Sequence, residues 1–172
     1  PTFPRAHLRM AQIRLAAGKL IEAKTHLRSE LLLRPDDPYT LRDLSNLLID
    51  TSETRSAVVC LRRLTSLRPD DLLAWQNLGV ANFLRHQYDD GIAACRRALA
   101  LRPGYAPVTH NLAVALGELG RYDEALALIN ALKQTGDDFS DLALRLKLLQ
   151  MKARVGHWLD AVFASFRAPP SD

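Results

Sequence analysis

The sequence predicts an all-α protein assembled from repeated helix pairs, and three observations lead there. The turn LRPDD occurs at 33–37 and again at 67–71, with the variant LRPGY at 101–105, so Pro35, Pro69 and Pro103 stand 34 residues apart. A fixed interval of this size marks a repeated supersecondary unit. Leucine and alanine dominate, aromatics make up 6% of the 172 residues and β-branched runs are nearly absent, which favours helices over strands. Within each interval two apolar helical stretches flank a short turn at Gly18, Ser52, His86 or Gly120, again 34 apart.

The first unit spans 4–37. Gly18 ends its first helix with a left-handed residue at little steric cost, and GKLIEA (18–23) leads into the second. That helix reaches Leu33 and cannot continue through Pro35. Asp37, followed by Pro38, reads as a cap before proline at the first helical position and starts the second unit, 38–71. Ser52 is a weaker turn residue there, as is His86 in the third unit, 72–105, which Asp71 opens as a cap. In HQYDDG (86–91) and in GRYDEA (120–125) of the fourth unit, 106–139, Asp89 and Asp123 are the expected caps of the second helices. Ala23, Ala57, Gly91 and Ala125 recur at the same interval and allow close helix packing. The fourth unit ends in KQTGDDFSD (133–141) without a closing proline, and the next turn glycine, Gly156, lies 36 residues beyond Gly120. Residues 140–167 are expected to form an incomplete fifth unit or capping pair, with one helix near 141–155 and a second over HWLDAVFASF (157–166). Residues 168–172 are expected to be a linker or tail.

Trp75, Leu78, Gly79, Tyr88, Ala98 and Pro103 in the third unit resemble the tetratricopeptide repeat, and Leu112, Gly120, Tyr122 and Ala125 extend the likeness into the fourth. The resemblance covers nearly the whole chain. It implies a right-handed α-solenoid whose first helices line a concave groove for an extended peptide or a partner helix.

Composition narrows the function classes. A formal net charge of +4 with scattered cations and few aromatics argues against a nucleic-acid interface. Cys60 and Cys95 lack CxxC spacing and read as small core residues, so no metal or cofactor is expected. The five histidines make no HExxH pairing, there is no GxSxG elbow, and the Asp-Asp pairs sit in turns, so no catalytic site is expected. No apolar run reaches the length of a membrane span, and PTFPRAHLRM lacks a secretory apolar core, which makes the cytoplasm the expected compartment. A start at Pro1 rather than Met suggests a piece of a longer chain, and the excess of Arg over Lys suggests a GC-rich bacterial genome.

Helical spacing places Tyr39, Arg42, Asp43, Asn46 and Asp50 on one polar face of the second unit. The matching face of the third is Leu73, Gln76, Asn77, Val80 and Leu84, and of the fourth Pro107, His110, Asn111, Val114 and Glu118. These faces supply the expected partner contacts. Asn77 and Asn111, 34 apart, are expected to stack in register and offer amide donors and acceptors to an extended backbone. Repeat-containing glycosyltransferases carry similar asparagines, a likeness that Asp43 interrupts. The chaperone-type carboxylate clamp is matched at Arg42, Asn46 and Asn77, but Pro107 and Asn111 stand where cations belong. Arg5, Arg9 and Arg42 toward one end and Lys147 and Arg154 toward the other suggest a ligand with an apolar middle and some acidic residues. The expected function is a non-catalytic interaction scaffold. The alternatives are a recruiting segment of a larger glycosyltransferase-like or sulfotransferase-like enzyme, or a homo-oligomer formed through C-terminal helices around Trp158, Phe163 and Phe166.

Overall fold

Proline and left-handed residues divide the chain into helices at the expected interval. The computed structural model describes the backbone of residues 5–132 and 140–167, and the side chains of 5–131 and 140–157. Every regular element among the described residues is a helix. In order they are α1 (Ala6–Ala16), α2 (Leu20–Leu33), α3 (Pro38–Asp50), α4 (Thr54–Leu67), α5 (Leu72–Phe83), α6 (Tyr88–Leu101), α7 (Ala106–Glu118), α8 (Tyr122–Leu132) and α9 (Ser140–Arg167). The fold is an all-α helical repeat. The chain divides into two compact units, Pro1–Pro103 and Gly104–Asp172, and the boundary falls at the LRPGY turn, which has no aspartates.

All four inner turns adopt the same backbone. Gly18 and Gly120 have φ of 71° and 72°, and Ser52 and His86 follow them at 61° and 57°. The repeated geometry therefore forces two residues with a Cβ into the left-handed region, where L-residues are strained. His86 gains a contact from its Nδ1 to the Tyr88 hydroxyl at 3.3 Å, whereas Ser52 has only backbone bonds there.

The LRPDD turns make the joints. Asp37 accepts from the Thr40 N–H at 2.9 Å and the Thr40 hydroxyl at 2.7 Å, and Asp71 accepts from the Ala74 N–H at 3.1 Å, so each caps the helix it precedes. Arg5 pairs with Asp37 at 3.0 Å, Arg42 pairs with Asp71, and Arg63 grips Asp36 with two bonds of 2.6 and 2.7 Å. α1 has no side-chain cap of its own. The buried Glu30 of α2 accepts the Leu8 N–H at 3.3 Å instead.

The core of the first unit interleaves Leu8, Leu27, Leu44, Leu48, Leu61 and Leu78 with the small Ala23, Ala57 and Ala94. Gly79 and Gly91 bring α5 against α6. A Cβ on Gly79 would lie 2.6 Å from Cys95 Sγ, and one on Gly91 would strike the Phe83 ring. Burial pushes the Cys95 thiol up to about 12, so it packs as a neutral core group. In the second unit Val108, Leu112, Leu116, Ala125, Ile129 and Leu146 are buried.

Two local expectations are corrected. Asp89 and Asp123 do not cap. Tyr88 and Tyr122 already begin α6 and α8, and the aspartates lie within the first turns, where they act on the positive end of the helix. The helix pair expected at 141–166 is one helix, α9, which runs through Gly156. A single glycine costs only about 1 kcal/mol within a helix, so Gly156 does not by itself end one. The KQTGDDFSD stretch up to residue 139, the side chains of Trp158, Phe163 and Phe166, and residues 168–172 lie outside the described residues.

Ser52→Gly is expected to raise stability by about 1 kcal/mol by relieving the left-handed strain. Thermal unfolding followed by circular dichroism reads this as an upward shift of a few degrees. A lowered midpoint would count against strain at that turn.

Candidate peptide-binding face

The first helices of the three pairs in the first unit are α1, α3 and α5, and polar side chains link them in succession. Gln12 Nε2 of α1 donates to Asp43 Oδ2 of α3 at 3.1 Å, and Asn77 Nδ2 of α5 donates to Asn46 Oδ1 of α3 at 2.8 Å. Both links join residues 31 apart, one period less about one helical turn. Tyr39 is exposed beneath the Arg5 guanidinium, whose carbon lies 4.8 Å from the ring centroid. Leu73 is exposed and Val80 half-buried on α5. The outcome is a strip of amides with apolar neighbours.

The partner of Asn77 within this unit is Asn46. Asn111 belongs to the second unit, where it is half-buried on α7 beside the exposed His110 and Val114. The Asn46–Asn77 bond uses one donor and one acceptor. The remaining amide hydrogens and the Asn77 oxygen can still take a peptide group. Gln76 Oε1 and Arg42 Nε are buried and have no hydrogen-bond partner among the described residues.

Electrostatics modify the expected cationic end. Arg5 and Arg42 are both neutralised by turn aspartates, leaving Arg9 exposed on α1. Burial alone would raise the Asp37 carboxyl. The Thr40 hydroxyl and N–H, with the Arg5 and Arg34 charges, outweigh burial and hold it below the usual carboxylate range. Sequence reasoning missed Gln12 and the pairing role of Asp71. Gln12 and Asp43 stand 31 residues apart and Arg42 and Asp71 stand 29 apart, so neither pair falls on the 34-residue period.

Two family models, each described as tetratricopeptide repeat, match residues 42–106 and 83–148. The chain is a tetratricopeptide repeat protein. Solved structures with the same fold include a MamA protein at 22% identity and TM-score 0.74, covering 96% of each chain. MamA residues 41 to the end from Desulfovibrio magneticus RS-1 superposes at 21% identity and TM-score 0.73, with 79% of this chain and 78% of that one covered. MamA of AMB-1 gives 23% identity and TM-score 0.71, covering 80% and 76%. No curated protein matches the sequence. Family membership and fold support a protein-interaction scaffold. Among the described residues no group of three or more His, Cys, Asp or Glu could hold a metal, and no helix is long and apolar enough to cross a membrane.

The depressed Asp37 carboxyl sets a pH dependence. Its contribution to stability is complete above the ordinary carboxylate value of 3.8 and is lost as pH falls through the lower folded value. Asp37→Asn keeps a capping side chain but removes the charge. The variant is expected to melt earlier than wild type at pH 7, with the gap closing toward pH 2. A gap independent of pH would exclude the charged pairing as its cause.

Proposed function

We propose that this tetratricopeptide repeat protein is a non-catalytic scaffold whose α1–α3–α5 face binds an extended peptide or a partner helix. The carrying observation is the Asn46–Asn77 amide pair beside the unpartnered Gln76 Oε1. Leu73, Val80 and Tyr39 supply apolar contact around it; in the second unit, taken by itself, His110, Asn111 and Val114 of α7 stand one period from Gln76, Asn77 and Val80. Fixed amides can satisfy an extended backbone of almost any sequence, and the apolar positions then select side chains. The preference for acidic residues rests on Arg9, because Arg5 and Arg42 are spoken for within the fold.

A peptide selected by display against the wild-type protein and titrated by calorimetry tests the reading. The Asn46→Ala/Asn77→Ala double variant should bind it about tenfold more weakly, as expected for one or two lost hydrogen bonds, with a melting temperature nearly unchanged. Equal affinity would remove the amide pair as a site.

One observation favours self-assembly as a second reading. On α9, Leu144, Leu148, Met151 and Val155 are exposed at steps of 4, 3 and 4, the spacing of a helix–helix seam. Their opposite side is anchored by the buried Ala143 and Leu146. A concentration-dependent dimer in analytical ultracentrifugation should dissociate in Leu148→Asp. A monomer at all concentrations would exclude this reading.

A further inference from the structure

A cavity of about 380 Å³ opens on another side of α5, between α4 and α6. That volume falls within the range of small-ligand and side-chain pockets. Trp75 and Leu78 of α5 and Ala93 and Ala94 of α6 form its apolar walls, and Thr65 and Ser66 line it from α4. The Trp75 indole is fixed, because its N–H already donates to the Pro69 carbonyl at 2.9 Å.

Asn82 supplies the polar feature. It lines the cavity, is 1% exposed and donates its Nδ2 to the Leu78 carbonyl at 3.0 Å, while its Oδ1 is buried with no partner among the described residues. A buried acceptor left unpaired costs about 1–3 kcal/mol. The repeat provides the comparison. One period to either side of Asn82 stand Leu48 and Leu116, both buried and apolar. Ala93 and Ala94 likewise replace Val59 and Cys60 of the preceding unit. The tetratricopeptide pattern Trp-x2-Leu-Gly-x2-Tyr, followed from Trp75, Leu78 and Gly79, reaches Asn82 where the family carries a tyrosine.

Charge at the mouth is also asymmetric. Arg62 of α4 is bonded to Asp90 of α6 at 2.8 Å, which ties the two walls together. About 10 Å along α6 from Asp90, Arg97 lines the same cavity. Its counterpart one period earlier, Arg63, is held by both oxygens of Asp36. Among the described residues Arg97 forms no ion pair, and neither does Asp70, the counterpart of Asp36.

We propose that this cavity is a docking pocket for a tyrosine side chain from an acidic segment of a protein partner. The phenol ring lies against Trp75 and Leu78, its hydroxyl donates to Asn82 Oδ1, and a neighbouring carboxylate of the segment pairs with Arg97. A donor for Asn82 Oδ1 and, since Asp90 is already taken by Arg62, a counter-ion for Arg97 are what the described residues leave unsupplied.

The test follows the Trp75 indole N–H signal in ¹⁵N-correlated NMR spectra, assigned by its loss in Trp75→Phe. The probes are three peptides, acetyl-Glu-Glu-Tyr-Glu-Glu-amide, the same peptide with phenylalanine at its centre, and acetyl-Lys-Lys-Tyr-Lys-Lys-amide. The first should give a saturable shift at Trp75, and the other two should bind at least fivefold more weakly. Asn82→Leu, which installs the residue found one period away, should raise the melting temperature and abolish the shift. Arg97→Glu should weaken the acidic peptide at least fivefold without changing the melting temperature. No saturable shift with the first peptide, equal binding of the phenylalanine peptide, or undiminished binding by a folded Asn82→Leu variant would each overturn the proposal.

Discussion

The structure of the first unit depends on the aspartates of the LRPDD turn. A single helix pair cannot bury its apolar stripe alone, so stability requires each pair to be held in a fixed pose against the next. Proline only stops a helix. Asp37 sets the pose, because one carboxylate closes the amino end of α3 and takes the Arg5 guanidinium of the preceding pair. Asp71 repeats the arrangement with α5 and Arg42, and Asp36 reaches forward to Arg63 of α4. Magnitudes separate the Asp37 and Asp71 contacts from the exposed Asp36–Arg63 pair and the rest. An exposed pair such as Arg62–Asp90 contributes at most about 1 kcal/mol, whereas hydrogen bonds to a buried charged carboxylate contribute about 1.5–3 kcal/mol each. The turn is therefore more than a connector.

The same pairing shapes the candidate face. Arginines read from sequence as attractants for an acidic ligand are partly consumed by the joints that hold the helices. Arg5 spends its charge on Asp37 and its planar surface on Tyr39, and Arg42 is fixed by Asp71. What remains for recognition is neutral and directional. Amides linked across neighbouring helices keep their geometry because each holds the other, which lowers the entropy that a ligand must offset on binding.

The period made the helices legible from sequence, including the turns at Ser52 and His86. Neither residue announces a left-handed turn by its own chemistry. Their φ values follow from standing 34 residues from Gly18 and Gly120. The side-chain links were not legible in the same way, because contacts between first helices fall 31 residues apart and a search at 34 misses them. Asn46, the mate of Asn77 within the first unit, is an instance. The continuity of α9 was hidden by the opposite error. Gly156 occupies the place of a turn residue, but a glycine costs a helix only about 1 kcal/mol and does not by itself compel a turn.

A repeat also provides its own internal control for locating specific chemistry. Whatever the fold requires must recur at each period, as the small residues Ala23, Ala57, Gly91 and Ala125 do. A buried position that departs from its counterparts is thus not explained by the fold. Arg14, Leu48, Asn82 and Leu116 occupy equivalent places, and the two leucines satisfy packing with no polar remainder. Asn82 leaves an acceptor unpaired where leucine would serve stability better. In a protein whose stability is a small difference of large terms, such a residue marks a place where something other than stability shaped the surface.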